Sequence, residues 1–198
     1  SGPELQRQVA EYSRRRPKYE TYAQALKRVL EKARKASFPD AFVQARDKSV
    51  SSFAEKAVRK YEKYPDAVNQ LTDLCGGRVI VQTLGQVKAV RKFIDTNFAV
   101  LEADEKGVSL GEDRFGYRDM HYLVRLISEK AARLGFTPEE INAIGDKTAE
   151  IQIRTWVQHA WADTLHDRMY KTKLRYPAAF RREGSLLAAI MEDGDRAF

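Results

Sequence analysis

The chain has 198 residues, long enough for one ordinary domain with a real core and no need of covalent staples. Its single Cys75 rules out an internal disulfide or a cysteine-rich metal site and points to a reducing compartment. With 35 Lys+Arg against 28 Asp+Glu, the net charge of +7 and pI near 9.4 favour a polyanionic partner such as nucleotide, nucleic acid or acidic membrane.

From Pro3 to about Ala36, Tyr22, Leu26, Val29 and Leu30 recur at helical spacing among basic residues. This predicts one or two amphipathic helices, broken near Pro17. Phe42 to Arg46 reads as a strand, and Ser49 to Lys63 as a helix with Ser51 or Ser52 near its start. GGRVIVQT, β-branched and opened by glycines, is a strand; Gln86 to Thr96 is helical. Phe98 to Glu102 and Met120 to Ile127 read as strands.

AEIQIR, residues 149 to 154, alternates: Ile151 and Ile153 face one side, while Glu150, Gln152 and Arg154 face the other. A helix should follow from about Thr155 to Lys171. SLLAAIMEDGDRAF begins another helix, expected to continue in a longer parent protein. Interleaved strands and helices predict an α/β (α+β) fold, a mixed β-sheet flanked by helices. The organisation read is 1–38 basic N-terminal helices, 39–176 a catalytic-type domain, and 177–198 a truncated C-terminal helical extension. No apolar run reaches the length of a membrane span, and SGPELQRQV lacks the apolar segment of a signal peptide, so a cytoplasmic site of action is expected.

Arg46 and Lys48 are two apart on an extended segment, and Ser52, Lys56 and Arg59 share a stripe of the following helix. Together they suit a triphosphate, although a solvated basic face accounts for each of them alone. Asp73 precedes the strand GGRVIVQ, and Glu150 lies on the polar face of AEIQIR. If those strands are neighbours, the two carboxylates can share one Mg2+ against nucleotide phosphates, with Arg78 near to offset charge; ordinary strand-end charges are the alternative. EDRFGYRDMH, residues 112 to 121, looks like a loop presenting a ring and positive charge. His159, Asp163 and His166 follow helical spacing, but are read as structural rather than as a metal site.

The order RDK, SxxxK, DLCGGR, GYRDMH and AEIQIRTWVQHAWADTLHDRMYK resembles the synthetase domain of the RelA/SpoT family of alarmone synthetases over roughly residues 40 to 175. The resemblance implies a nucleotidyltransferase-like mixed sheet that uses Mg2+ to move the β,γ-pyrophosphate of ATP to the ribose 3′-hydroxyl of GDP or GTP. It implies that Arg46, Lys48, Ser52, Lys56 and Arg59 bind ATP. Asp73 becomes a metal ligand, Arg78 a phosphate contact, and Glu150 a second ligand or the base. Tyr117 would stack on the acceptor base, with Arg114, Arg118 and His121 beside it.

Guanine-specific members carry a pattern like PKxNGYxS, whereas Glu112, Asp113, Phe115 and Asp119 stand here. An acid in place of the Lys repels a 5′-polyphosphate. An adenine nucleotide, or the 3′ adenosine of a tRNA CCA end, is the alternative acceptor, with Arg114, Arg118, Lys18, Lys27, Arg28 and Lys32 holding tRNA phosphates. That toxic role would bring an antitoxin or immunity protein as partner, and delivery as an effector stays open. A catalytically silent nucleotide- or RNA-binding module is a third reading, opposed by the paired carboxylates. His166-Asp167 also forms the dipeptide of the family's hydrolases, but without further upstream His ligands no hydrolase activity is expected.

Overall fold

The computed structural model describes residues 2–106, 119–163 and 178–197. A five-stranded sheet is ordered β1-β2-β5-β4-β3, from β1 (Phe42–Asp47), β2 (Cys75–Val81), β3 (Ala99–Lys106), β4 (Asp119–Arg125) and β5 (Thr148–Thr155). Only β2 and β5 run parallel; the other pairs are antiparallel. The expected mixed sheet flanked by helices is what forms.

Period-2 burial divides the sheet into two unlike faces. Val43, Val79, Ile151, Ile153, Met120, Tyr122 and Val124 are buried on one. Helices cover that face. α1 (Gly2–Ser37) buries Tyr12, Tyr19, Tyr22, Leu26, Val29 and Leu30, which share one helical stripe, in the same apolar cluster as the strands. Its close approach needs Gly77, where a Cβ would meet Leu26 and Leu30 methyls at 3.3 Å.

The expected break at Pro17 does not occur, because the 36-residue helix runs straight through it. Pro17 is exposed, so the carbonyl that loses its partner faces water, while tyrosines on either side are buried on the opposite face. Arg16 to Asp47, at 2.6 Å, ties this region to β1. Gly2–Ser37 is therefore a single helix whose buried face belongs to the same core as the sheet.

α2 (Val50–Arg59) begins at Ser49, whose hydroxyl accepts from the Ser52 amide at 3.1 Å. A short α3 (Ala67–Gln70) precedes β2, and α4 (Leu84–Asn97) starts with a capping box between Thr83 and Gln86. Two helices that the sequence reading does not include follow β4: α5 (Ser128–Leu134) and α6 (Pro138–Ile144). Each is too short for hydrophobic period to reveal it, yet their boundaries are explicit. Gly135 closes α5 at φ 102°, and Thr137 caps α6 with Pro138 in its first turn and Glu140 completing the box.

After β5 come α7 (Trp156–Trp161) and, further on, α8 (Ala178–Ala197). The rest of the helix expected to Lys171 lies outside the described residues. Among the described residues no helix is long and apolar enough to cross a membrane.

Candidate active site

The other sheet face is polar and carries the candidate chemistry. Register aligns its side chains in rows across the strands. One row reads Arg46, Gly76, Glu150 and Leu123; the next reads Gln44, Arg78, Gln152, His121 and Asp104. The condition set by the sequence, that the strands bearing Glu150 and following Asp73 be neighbours, is met by the parallel pairing of Gly76 with Glu150. Because Gly76 has no side chain, space is left between Arg46 and Glu150 on this face. Arg46 has no ion-pair partner among the described residues.

Glu150 sits in a directed set of donors. His121 Nδ1 lies 3.2 Å from Oε1, and Gln152 Nε2 donates to the same oxygen at 2.9 Å. Gln152 is itself oriented: its Oε1 accepts from Arg154 Nη2 at 2.9 Å and from Arg78 Nε at 3.4 Å, which turns its NH2 toward Glu150. Burial pushes the Glu150 carboxyl upward. The opposing hydrogen bonds from His121 and Gln152, with the charges of His121 and Lys56, outweigh it and hold the group at about 2. Glu150 is thus an anion throughout the physiological range.

Asp73, in the loop entering β2, receives Lys48 Nζ at 2.9 Å and Lys56 Nζ at 2.7 Å, both on Oδ2. Lys48 is placed from two sides: its amide donates to Leu74 O at 2.9 Å, and Tyr12 Oη donates to its carbonyl at 2.5 Å. Tyr12 is buried and stacks on Phe53 of α2 with centroids 4.3 Å apart, so α1 and α2 position this lysine together. Lys56 touches Asp73 and its charge also acts on Glu150, which links the two acidic centres.

Asp73 Oδ1 is buried and accepts no hydrogen bond from the described residues. A buried carboxylate oxygen with an unused lone pair, near a second permanently ionised carboxylate, fits a hard cation such as Mg2+ that takes one or two carboxylates plus phosphate and water oxygens. No group of three or more His, Cys, Asp or Glu suited to a metal occurs among the described residues, so a cation here would depend on a ligand's own oxygens.

Of the residues expected to form the site, Arg46, Lys48, Lys56, Asp73, Arg78, His121 and Glu150 lie on this face or at its edge. Ser52 lies in the first turn of α2, its hydroxyl 2.9 Å from Ser49 Oγ. Arg59 is in the last turn, exposed and 3.8 Å from Glu55. Tyr117, Arg114 and Arg118 fall outside the described residues, as does His166. His159 Nε2 lies 3.8 Å from Asp163.

Two positioning residues were not expected. Gln152 had a signal, since the alternation of AEIQIR puts it on the Glu150 face. Tyr12 had none, because its contact with Lys48 spans 36 positions. Of the N-terminal basic residues expected to hold tRNA phosphates, Lys18, Lys27 and Lys32 are exposed on α1. α1 lies on the helix-covered face, opposite Glu150, and Arg28 is engaged by Glu140 at 2.7 Å and by Gly135 O at 3.2 Å.

A mixed sheet with one face sheathed in helices, and the other bearing lysines, arginines and ionised carboxylates, defines an enzyme-like site for a phosphorylated substrate. The model of the region found in RelA / SpoT proteins matches residues 45–175, and the chain belongs to that family. Among solved structures, a GTP pyrophosphokinase family protein from Streptococcus pneumoniae is 26% identical at a TM-score of 0.73, covering 94% of this chain and 90% of its own. Small alarmone synthetase 1 from Bacillus subtilis is 23% identical at a TM-score of 0.71, covering 95% and 94%, and shares the fold. The structure of that synthetase with its product pppGpp is 24% identical at 0.70, covering 94% of each chain. The Type VI effector Tas1, solved with its immunity protein, is 14% identical at 0.51, over 94% of this chain and 97% of that one. No curated protein matches.

Proposed function

We propose that the chain is an ATP-dependent pyrophosphotransferase that moves the β,γ-pyrophosphate of ATP to the ribose 3′-hydroxyl of GDP or GTP, yielding (p)ppGpp. The observation that carries this reading is Glu150, held ionised on the row of Arg46 across the side-chain-free Gly76, beside the Lys48–Asp73–Lys56 cluster. Family membership and the relative named a GTP pyrophosphokinase support it.

In the proposed reaction the acceptor 3′-oxygen attacks the β-phosphorus. The bond from that phosphorus to the oxygen bridging to the α-phosphate breaks, and AMP leaves with the bridging oxygen. Glu150 accepts a hydrogen bond from the acceptor hydroxyl and orients its lone pair; the proton passes through the carboxylate to solvent. Its low proton affinity makes it an orienting anion first and a proton store only in passing. Arg46 and Arg78 face the transferring phosphates, where charge spreads over non-bridging oxygens in the transition state. Lys48 and Lys56 hold the donor chain from the β1–α2 side, and Ser52 adds a hydroxyl at the helix start. When bound, Mg2+ on Asp73 and Glu150 would neutralise donor phosphate charge.

A second reading rests on the acids Glu112 and Asp113, which stand where guanine-specific members have a Pro-Lys pair. They favour an acceptor without a 5′-polyphosphate, namely a tRNA 3′ end; an adenine nucleotide is the other acceptor of this second reading. Cytoplasmic action and a neutralising antitoxin or immunity protein belong with that reading.

The test offers GDP, GTP, ADP, ATP and deacylated tRNA separately with γ-labelled ATP and Mg2+. Label on GDP or GTP supports the first reading, label only on adenine nucleotides or tRNA the second. No label on any acceptor, with ATP still bound, overturns both in favour of a silent binding module.

A further inference from the structure

On the helix-covered side of the sheet, α4, α7 and α8 line a half-open cavity of about 240 Å³. Met120 and Ile153 form its floor; Val87, Trp161, Ala188 and Asp195 are among its walls. It is separated from the Glu150 face by the thickness of the sheet. The lining is mostly apolar, yet two buried polar atoms in it lack hydrogen-bond partners among the described residues. Trp161 is 5% exposed and its Nε1–H finds no acceptor; Asp195 is 3% exposed and its Oδ1 accepts nothing. Native interiors rarely leave such groups unsatisfied, and two of opposite kind in one cavity point to an occupant. Thr155 and Gln158 bond the Asp195 carboxyl, but burial still pushes it upward.

The chemistry of that occupant can be narrowed. An engineered apolar cavity of about 150 Å³ holds benzene, so this volume suits two fused rings. The ring faces would meet Val87, Met120 and Ile153. One edge must offer a donor to Asp195 and another an acceptor to Trp161. Arg91 donates to Tyr122 Oη at 3.2 Å and Arg196 pairs with Glu192, while Lys88, also in the lining, has no ion-pair partner among the described residues. The mostly apolar lining and the buried Asp195 carboxyl favour a neutral ring over a polyphosphate.

We propose that this cavity is a binding site for a small planar heterocycle bearing an N–H donor and a ring acceptor, the chemical class of the free purine bases, and that its occupancy tunes Glu150 through the sheet. The coupling has a short path. Met120 and Ile153 are register partners; their neighbours His121 and Gln152, also partners, point to the opposite face and are the two donors to Glu150 Oε1. A single peptide bond therefore joins each of these two floor residues to one of the two donors to Glu150 Oε1. This regulatory half rests on the pyrophosphotransferase reading; the binding half does not.

The experiment titrates adenine and hypoxanthine as free bases into the folded chain by calorimetry. In parallel, Trp161 emission is followed in a Trp156→Phe variant, with an ATP analogue saturating the polar face. Binding is expected to weaken about tenfold or more in Asp195→Asn, which keeps the side-chain shape, and to vanish in Ala188→Leu, which fills the cavity. Saturating base should change the transfer rate about twofold or more in the parent chain and leave Asp195→Asn unmoved. Absence of binding, or equal binding by parent and both variants, overturns the site. Binding with an unchanged rate overturns the coupling, and binding by a chain that transfers nothing counts against the transferase reading instead. Should Ala188→Leu fail to fold, the near-isosteric Asp195→Asn decides.

Discussion

Replacing Glu150 with Gln removes the charge and little else, which makes its consequences calculable. The carboxyl shifts from an ordinary 4.5 to about 2 in the folded chain, and its side chain is 23% exposed. That difference of roughly 2.5 units, at about 1.4 kcal/mol each, corresponds to about 3 kcal/mol favouring the ionised folded form. The folded pKa is depressed, so this stability is fully present above the unfolded value of 4.5 and is lost as pH falls toward 2. Glu150→Gln resembles the protonated state. It should be less stable than the parent by up to about 3 kcal/mol near neutral pH, and the gap should close as acid protonates the parent's Glu150. Urea unfolding of both proteins at about pH 7, 5 and 3.5 measures the gap directly. A gap of the same size at the lowest and highest pH, or no gap at neutrality, would refute the account in which His121, Gln152 and Lys56 stabilise a buried anion.

Asp73→Asn should lower the transfer rate about 100-fold or more without raising the KM for ATP, because the two lysines it releases remain to bind phosphate; steady-state kinetics with Mg2+ varied checks both halves. Tyr12→Phe loses the hydroxyl that holds the Lys48 carbonyl at 2.5 Å; it should cost about 1 kcal/mol in thermal unfolding and raise the KM for ATP with kcat nearly unchanged. Gly77→Ala should destabilise by about 1 kcal/mol, since its Cβ would press on Leu26 and Leu30. Gly76→Ala, whose Cβ would have only an ordinary 3.7 Å contact with the Glu150 carbonyl, should leave the unfolding midpoint within error of the parent.

The sequence by itself determined what local pattern encodes. Alternation in AEIQIR placed Glu150 and Gln152 on one face and Ile151 and Ile153 on the other, and the same logic found β2 from its β-branched run. Helical spacing found α1 and α4, whereas Pro17 misled because propensity counts the lost hydrogen bond but not the exposure of the carbonyl that loses it. The short α5 and α6 escaped periodicity, although Gly135 and the Thr137–Glu140 box marked their ends.

Only the tertiary structure decided which acidic and basic groups meet. That β5 lies between β2 and β4, beside the strand that Asp73 leads into, is a matter of sheet order, which no local signal specifies. Likewise Lys48 and Lys56 converge on Asp73, and Tyr12 reaches Lys48, only because α1 and α2 pack at the β1 edge. The depressed pKa of Glu150 draws on His121 and Lys56 from other elements as well as on Gln152, two residues away on its own strand. A strand pattern states which side a residue faces; the field it experiences there comes also from neighbours far away in the chain.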